Sequence, residues 1–361
     1  MTLSVCLIVR NEIEVIGRCL NCAAKIADEI VVVDTGSNDG TVEEARKFTE
    51  DIYFFEWCDD FSAARNFALS KATCDFVMWL DADDIITDEN CKKIKELLTG
   101  SPEFDMAYLK YAAAFDGSKP TFVYYRERIL RRSKNYRFCG AVHEAVSPEG
   151  KIVYSDAEIH HKKIKENEPL RNLAILQKQI AHGISLDERS KFYYGRELLY
   201  NNMYAESAAV LEEFLKGNGW IENKIEACVN LYRAYTALGQ KERAVTALLK
   251  SFMLAPPRSE VCCILGGLFF DANDVNSAIY WYECALNCKN DEKEGGFFNL
   301  DFGGFIPCMQ LCVLYDRLGD YEKANSYNEL AGKIKPHNES YIYNKKYFQT
   351  KLNKEEKSND L

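Results

Sequence analysis

Three carboxylates in four positions, Asp81, Asp83 and Asp84, follow the apolar segment 76–80. Because carboxylates this close repel one another, a divalent cation explains the cluster better than a solvated turn does. Mg²⁺ and Mn²⁺ prefer oxygen ligands and often complete their shell with substrate phosphates. An ion between a carboxylate and a diphosphate would neutralise the charge on a departing nucleotide. The alternative is structural: Asp83 or Asp84 caps the next helix.

The acidic cluster ends one strand of a repeating strand–helix pattern. Apolar, β-branched runs at 3–9, 29–34, 52–57 and 76–80 predict strands, and amphipathic stretches at 12–24 and 62–72 predict helices. Thr41 and Glu44 have the spacing of a capping box for a further helix. Strands that alternate with helices indicate an α/β fold with a mostly parallel sheet, and ligands of such sheets lie at the carboxyl ends of the strands. From 104 to 161 we expect mixed strands and loops that shape the side of the site for a second substrate.

After residue 168 the sequence predicts helical repeats. Four small residues each follow a Gly or Asn by five positions: Asn202 and Ser207, Gly239 and Ala244, Asn273 and Ala278, Gly319 and Ala324. The small residues are 37, 34 and 46 apart, near the tetratricopeptide period of about 34 with an insert at 289–304. An irregular helical bundle is the alternative. The predicted domains are therefore an α/β domain at 1–167, tetratricopeptide-like repeats at 168–348 and a disordered tail at 349–361.

Composition excludes several classes of protein. A chain of 361 residues with 47% apolar residues is long enough for two folded domains. A formal charge of −10 argues against nucleic acid as a partner. No apolar run reaches the ~18–20 residues that cross a bilayer, so no transmembrane segment is predicted. The 14 cysteines are scattered through apolar positions with no signal peptide ahead of them, which predicts reduced thiols and a cytoplasmic location.

Four ordered motifs carry a resemblance to a known family: TLSVCLIVRNE at 2–12, VDTGSNDGT at 33–41, ARN at 64–66 and WLDADD at 79–84. Together they resemble the inverting family-two glycosyltransferases with the GT-A fold, over about residues 2–165. With the repeats, the chain is similar to the bacteriocin peptide S-glycosyltransferases of the sublancin type and to some lipopolysaccharide-core glucosyltransferases. The resemblance implies a nucleotide-sugar donor, with a UDP-sugar expected, and Mg²⁺ or Mn²⁺.

The resemblance also implies roles for single residues. Val9, Arg10, Asn11 and Glu12 would border the nucleotide, Asp34 and Thr35 would reach the base and ribose, Arg65 would hold the base or diphosphate, Asp81 and Ala82 would lie near the ribose, and Asp83 would bind the metal. Two alternatives are structural: Asp34 caps the following turn, and Arg65 pairs with Asp59 or Asp60. Thr35 stands where the family often has an acid, which leaves strict uridine selectivity open.

Inversion needs a base that deprotonates the acceptor, and Glu144 is the first candidate. It ends the element FCGAVHE at 138–144, after the Arg-rich segment 128–132, and this order resembles the Gly-x-Val-His-Glu element of the subgroup. His143 would orient a phosphate or the sugar, or serve as the base in place of Glu144. The alternative is a structural His-Glu pair in a hairpin.

A histidine near the end of the domain completes the metal shell in related folds. His160 is the choice for this ligand, and His161 is the alternative if the strand register shifts by one. The other interpretation is that two neighbouring histidines lie on the surface by coincidence.

The expected reaction moves a hexose or N-acetylhexosamine from the donor to a peptide or protein Cys, Ser or Thr. Stacked helix pairs form a concave groove suited to extended peptides, and the aromatic-rich segment 193–204 would line it. One alternative keeps the chemistry but has a lipopolysaccharide-core or other glycolipid acceptor, and another is a non-catalytic peptide-binding scaffold. Helical repeats commonly supply dimer surfaces, so a homodimer is also an expectation.

Overall fold

The apolar runs of the N-terminal region form one eight-stranded sheet in the computed structural model of the chain. The structure describes residues 1–100, 102–117, 119–164, 170–288 and 299–359. The strands are β1 (Leu3–Val9), β2 (Glu29–Asp34), β3 (Ile52–Phe54), β4 (Phe76–Leu80), β5 (Asp84–Ile85), β6 (Met106–Asp116), β7 (Lys119–Arg131), β8 (Phe138–Cys139), β9 (Ala145–Val146) and β10 (Ile152–His161). The order across the sheet is β3-β2-β1-β4-β7-β6-β10-β5, and β8 pairs with β9 separately.

The first four strands form the parallel half of the sheet. β1 pairs in parallel with β2 and β4, and β2 pairs in parallel with β3, whereas β7 is antiparallel to β4. The helices of this region are α1 (Ile16–Ala23), α2 (Thr41–Ala45), α3 (Phe61–Lys71) and α4 (Asp88–Leu98). Leu7 of β1 belongs to one core with Leu20 of α1, while Cys6 belongs to another with Ala68 of α3. Because helices cover both faces, these strands are continuously apolar rather than alternating. The predicted α/β class is confirmed.

Two helix starts differ from the prediction. α1 begins at Ile16, not at residue 12, because the Glu12 carbonyl accepts the Val15 and Ile16 amides in a tight turn. The capping box at Thr41 is not formed. Gly40, at φ 94°, is the N-cap of α2, and the Thr41 hydroxyl instead accepts the Glu12 amide at 2.7 Å.

Antiparallel helix pairs follow the sheet. The helices are α5 (Arg171–Ala181), α6 (Glu188–Tyr200), α7 (Tyr204–Lys216), α8 (Ile221–Ala237), α9 (Lys241–Lys250), α10 (Ser259–Asp271), α11 (Val275–Asn287), α12 (Phe305–Arg317), α13 (Tyr321–Ile334) and α14 (Glu339–Asn359), with short 3₁₀ helices at Arg132–Lys134, Ser251–Met253 and Leu300–Gly303. The predicted turn residues all have left-handed backbone: Asn202 at φ 61°, Gly239 at 72°, Asn273 at 59° and Gly319 at 77°. The four small residues that follow them are at most 1% exposed: Ser207, Ala244, Ala278 and Ala324. The tetratricopeptide-like pattern is thereby confirmed.

By its contacts, the chain divides into one unit that holds Met1–Ala247 and a second that begins at Leu248. The predicted boundary at 167/168 lies outside the described residues, as does most of the predicted insert at 289–304. The predicted disordered tail is helical as far as Asn359, because Phe348 anchors α14 with 2% exposure and Lys, Glu and Gln continue the helix readily. Within the described ranges, no helix combines the length and apolarity that crossing a membrane requires.

Candidate active site

A cavity of about 690 Å³ opens at the carboxyl ends of β1, β2 and β4. Its wall includes residues 9–12, Thr35, Arg65 and 81–83, all of them predicted nucleotide-sugar or metal residues. The cavity lies where a parallel sheet binds its ligands, because the loops after neighbouring strands diverge there. The structure thus brings together four segments that are far apart in the sequence.

Asp34 does not lie on the cavity wall. Its carboxylate accepts the backbone amides of Gly36 and Ser37, each at 3.1 Å, and its side chain is buried. This is the turn-capping arrangement given above as the structural alternative. Thr35 does line the cavity, and its hydroxyl donates to the Val9 carbonyl at 3.0 Å. Asp34 therefore fixes the shape of the turn after β2, and Thr35 next to it lines the cavity.

The acidic cluster is completed by His161. The antiparallel register pairs His161 with Asp84, and its Nδ1 lies 3.2 Å from Oδ1 of Asp83 and 3.4 Å from Oδ1 of Asp84. Ligand atoms of Asp81, Asp84 and His161 all lie within 4.8 Å of one another. Burial lowers the pKa of His161, but the hydrogen bonds to the two aspartates outweigh it and raise that pKa to about 10.

His160 faces away from this cluster. Its Nε2 lies 3.1 Å from Oε2 of Glu158, and its ring packs on Phe115 at 5.3 Å. Successive side chains of a strand point to opposite faces, so only one of the two histidines reaches the aspartates. The histidine beside the aspartates is therefore His161, the alternative, and not His160 as first expected. The helix-cap alternative for the aspartates is wrong as well, because Thr87 caps α4.

Beneath the cluster lies an ion pair with no access to solvent. Arg128 and Asp84 are both 0% exposed, and Nη1 of Arg128 donates to Oδ2 of Asp84 at 3.1 Å. The guanidinium also lies 3.7 Å from the Trp79 ring centre and 4.4 Å from that of Tyr111. The negative charge of Asp84 is thus balanced by Arg128. Asp81 and Asp83 are the two aspartates of the cluster that line the cavity.

Arg65 joins the acidic cluster to the candidate base. Its Nη2 donates to Oδ1 of Asp81 and its Nε to Oε1 of Glu144, each at 2.6 Å. Burial opposes the charge on Asp81, but Arg65 and Arg128 outweigh it and hold the pKa of that carboxyl well below its usual range. The alternative pairing of Arg65 with Asp59 or Asp60 is wrong, since those carboxylates bind Lys178 and the Ala63 amide.

His143 and Glu144 are not among the residues that line the cavity, although Glu144 contacts the lining residue Arg65. His143 has left-handed backbone at φ 53°, and its Nε2 lies 2.8 Å from Oε1 of Glu197. Its ring stacks on Tyr193 with centroids 4.1 Å apart, and its carbonyl accepts from Arg189 at 3.2 Å. Burial lowers the pKa of His143, and the hydrogen bond to Glu197 offsets this only in part. Through these contacts with His143, helix α6 fixes the position of the turn that contains Glu144.

Two parts of the cavity wall were missed from the sequence. One is the segment after β3 with Trp57, Asp59 and Phe61, and the other is a face of α5 with Arg171, Ala174, Ile175 and Lys178. The α5 residues have the i, i+3, i+4, i+7 spacing of one helical face. That spacing predicts that this face of α5 is covered, but it does not predict which part of the protein covers it. The sequence therefore contained no signal that α5 contributes to the cavity wall.

Residues 4–148 match the model of Glycosyl transferase family 2. Residues 4–148 are therefore a family 2 glycosyl transferase domain. The parallel half of the sheet and the acidic cluster at the end of β4 agree with this.

Three relatives show the extent of the similarity. A TPR repeat-containing protein of Synechococcus elongatus is 35% identical over 145 residues, 40% of this chain and 35% of that protein. The SPbeta prophage-derived glycosyltransferase SunS of Bacillus subtilis is 31% identical over 147 residues, 40% of this chain and 34% of its own length. The lipopolysaccharide core biosynthesis glycosyltransferase LpsC of Rhizobium meliloti is 29% identical over 162 residues, 42% of this chain and 59% of LpsC. The chain thus spans only about a third of the first two relatives.

Proposed function

We propose that this chain is a metal-dependent, inverting transferase that moves a hexose or N-acetylhexosamine from a UDP-sugar to a Cys, Ser or Thr side chain of a peptide or protein. The observation that carries the proposal is the cavity at the carboxyl ends of the parallel strands, with Asp81, Asp83 and His161 on its wall. A cavity of about 690 Å³ is within the range of small-molecule and cofactor sites, about 300–1,000 Å³.

The residues present fit a divalent cation. Carboxylate oxygens and one imidazole nitrogen converge there, a donor set suited to Mn²⁺ or Mg²⁺. Asp83, which contacts His161, and His161 itself are the proposed ligands. The ligand atoms of Asp81 and Asp84 also converge on His161, but Asp84 is held by Arg128 and Asp81 by Arg65. A metal bound there supplies positive charge beside the departing diphosphate.

The other wall residues hold and orient the donor in this proposal. Residues 9–12 and Thr35 border the nucleotide, Asp81 and Ala82 lie beside the ribose, and Arg65 holds the Asp81 carboxylate in position. Two nitrogens of the Arg65 guanidinium bind carboxylates, so its position is fixed before the donor binds. A preorganised site loses less entropy on binding. Other nucleoside diphosphates are worth testing beside UDP, since Thr35 offers a hydroxyl where the family often has an acid.

Glu144 has two roles open to it. As the base, it would take the acceptor proton while the acceptor attacks the anomeric carbon. Its contact with Arg65 offers a second role, the orientation of that guanidinium. We retain Glu144 as the base and place His143 beside it, as a ring that fixes the turn through Glu197. The two roles predict different consequences for Glu144→Gln: loss of a base lowers kcat, whereas loss of the orientation of Arg65 weakens UDP binding.

The acceptor is proposed from the helical repeats and from the resemblance to the sublancin type. Stacked helix pairs offer a concave surface for an extended chain. The similarity to LpsC favours a glycolipid or lipopolysaccharide-core acceptor as the second candidate. A non-catalytic scaffold would not need the converging acidic groups, so it ranks last. A cytoplasmic location and a homodimer remain predictions.

Nucleotide release tests the proposal directly. We expect the purified chain with Mn²⁺ to release UDP slowly from UDP-glucose or UDP-N-acetylglucosamine, and Asp83→Asn to abolish this release. His160→Gln is the matched control, since that side chain lies outside the cluster. If no common nucleotide sugar yields a nucleoside diphosphate and Asp83→Asn leaves donor binding unchanged, the proposal is wrong. Mass spectrometry of peptide and glycolipid acceptors after incubation then distinguishes the two acceptor classes.

A further inference from the structure

One wall of the donor cavity comes from a helix outside the glycosyl transferase domain. The family match ends at residue 148, whereas α5 begins at Arg171. Arg171, Ala174 and Lys178 nevertheless face the cavity, together with Ile175. The helical region thus contributes to the part of the molecule that the proposed function assigns to the nucleotide sugar.

Several contacts fix α5 against the segment after β3. Ile175 is 3% exposed and belongs to one apolar cluster with Trp57 and Phe61. The Arg171 guanidinium lies 4.9 Å from the Phe61 ring centre, and Nζ of Lys178 lies 2.6 Å from Oδ2 of Asp59. Trp57 and Phe61 themselves meet edge to face at 4.8 Å. The face of α5 is therefore packed in place and needs no rearrangement to contact a ligand.

The chemistry of this part of the wall differs from that of the acidic cluster. Four of its side chains are apolar or aromatic: Trp57, Phe61, Ala174 and Ile175. The charge of Lys178 is balanced by Asp59, and the Arg171 guanidinium lies beside the Phe61 ring. A planar base and its ribose suit such a surface, since aromatic rings stack on aromatic and guanidinium planes. The diphosphate suits the acidic cluster better, where a metal would balance its charge.

We propose that this face of α5 binds the nucleoside part of the donor, so that the helical region helps to determine donor affinity. The inference rests on the proposed function. Ala174 is its most direct test, because it lines the cavity with a small, exposed side chain. A large residue at this position would occupy the space of the nucleoside without removing a core contact. Gln177 is the matched control, as it is exposed on the same helix but is absent from the cavity wall.

The experiment compares Ala174→Trp, Gln177→Trp and the wild-type full chain by calorimetry, with Mn²⁺ present and with UDP or inorganic pyrophosphate as the probe. We expect Ala174→Trp to weaken UDP binding by at least about tenfold, since overfilling a packed site costs on the order of that much in affinity. Pyrophosphate should bind all three proteins equally. Thermal melting checks that each variant is folded, and Ala174→Phe serves as a smaller second variant.

The outcomes separate this inference from the proposed function. Equal UDP binding by Ala174→Trp and the wild type would overturn the inference and leave the proposed function standing. A parallel loss of pyrophosphate binding would overturn it as well, because α5 would then serve the phosphates. If the wild type bound neither probe, the proposed function and the inference would fail together.

Discussion

Metal binding at the acidic cluster should depend steeply on pH, because His161 carries a proton that a metal must displace. Its Nδ1 lies 3.2 Å from Asp83 and 3.4 Å from Asp84. These contacts overcome the effect of burial and raise the pKa of His161 to about 10. A nitrogen that holds a proton cannot coordinate a cation, so binding through Nδ1 releases that proton.

The size of the effect follows from the pKa. With a pKa of about 10, fewer than about one His161 in a thousand is neutral at pH 7, which costs a metal bound through Nδ1 about 4 kcal/mol. The apparent affinity should therefore rise about tenfold for each pH unit between 7 and 9. If carboxylates alone held the metal, their ionisation would be complete in this range and this dependence would be absent.

Calorimetric titration with MnCl₂ in buffers of different ionisation enthalpy measures both the affinity and the number of protons released. We expect close to one proton per ion at pH 7.5 in the wild type and none in His161→Gln. His160→Gln should behave as the wild type, since its side chain contacts Glu158 and Phe115 instead. A flat affinity between pH 7 and 9, or a loss of metal in the His160 variant alone, would refute the assignment of His161.

The same proton has a consequence for stability. The folded pKa of His161, about 10, is above the ordinary value of about 6.5, so the ion pair with the aspartates stabilises the metal-free fold fully below about pH 6.5. This contribution is lost as the pH rises through about 10. Urea unfolding in EDTA should therefore show His161→Gln more destabilised at pH 6 than at pH 9.5. Equal destabilisation at both values would contradict the raised pKa.

Three further predictions concern single contacts. Glu144→Gln removes the proposed base, so kcat should fall about 10²–10⁴-fold while the calorimetric Kd of UDP stays unchanged. Glu197→Ala removes the partner of the His143 ring, so kcat should fall roughly tenfold, and Glu197→Gln, which keeps an acceptor oxygen, should restore most of it. Arg128→Met leaves the buried Asp84 without its cation, so the free energy of unfolding in urea should fall by about 3–5 kcal/mol.

Each of these predictions has a contrary outcome. If Glu144→Gln raised the Kd of UDP and left kcat unchanged, Glu144 would be assigned to the orientation of Arg65. An unchanged kcat in Glu197→Ala would show that the turn at His143 holds its shape without α6. For the buried pair, the exposed Arg137→Met is the control, and an equal loss in both variants would mean that charge removal alone explains the effect of Arg128→Met.

The parallel half of the sheet could be predicted almost to the residue. The bounds of β1, β2 and β4 agree with the apolar runs, because strands covered on both faces leave a continuous signal that ends where the polar loop begins. β3 is shorter than predicted, since residues after Phe54 turn away towards α3. The repeat turns were also predictable, because a left-handed residue between two helices selects Gly or Asn.

Only those residues of the site that belong to a sequence motif could be predicted. His160 and His161 differ by one position in β10, and the sequence of a strand does not fix which of two neighbours faces the aspartates. The contact of His143 with Glu197 joins residues 54 apart, on elements that the sequence assigns to different domains. Arg65 was predicted, but its two carboxylate partners depend on a tertiary arrangement that no local pattern encodes.

The contacts of α5 and α6 change how the role of the repeats should be tested. Removal of everything after residue 167 would delete the cavity wall at Ala174 and the contact of Glu197 with His143, along with any acceptor surface. Such a deletion would lower donor hydrolysis and peptide transfer alike, so it could not separate the two. Both contacts belong to the unit that holds Met1–Ala247. Substitutions on exposed side chains after Leu248 leave that unit intact, and a loss of transfer there with donor hydrolysis retained would identify an acceptor surface.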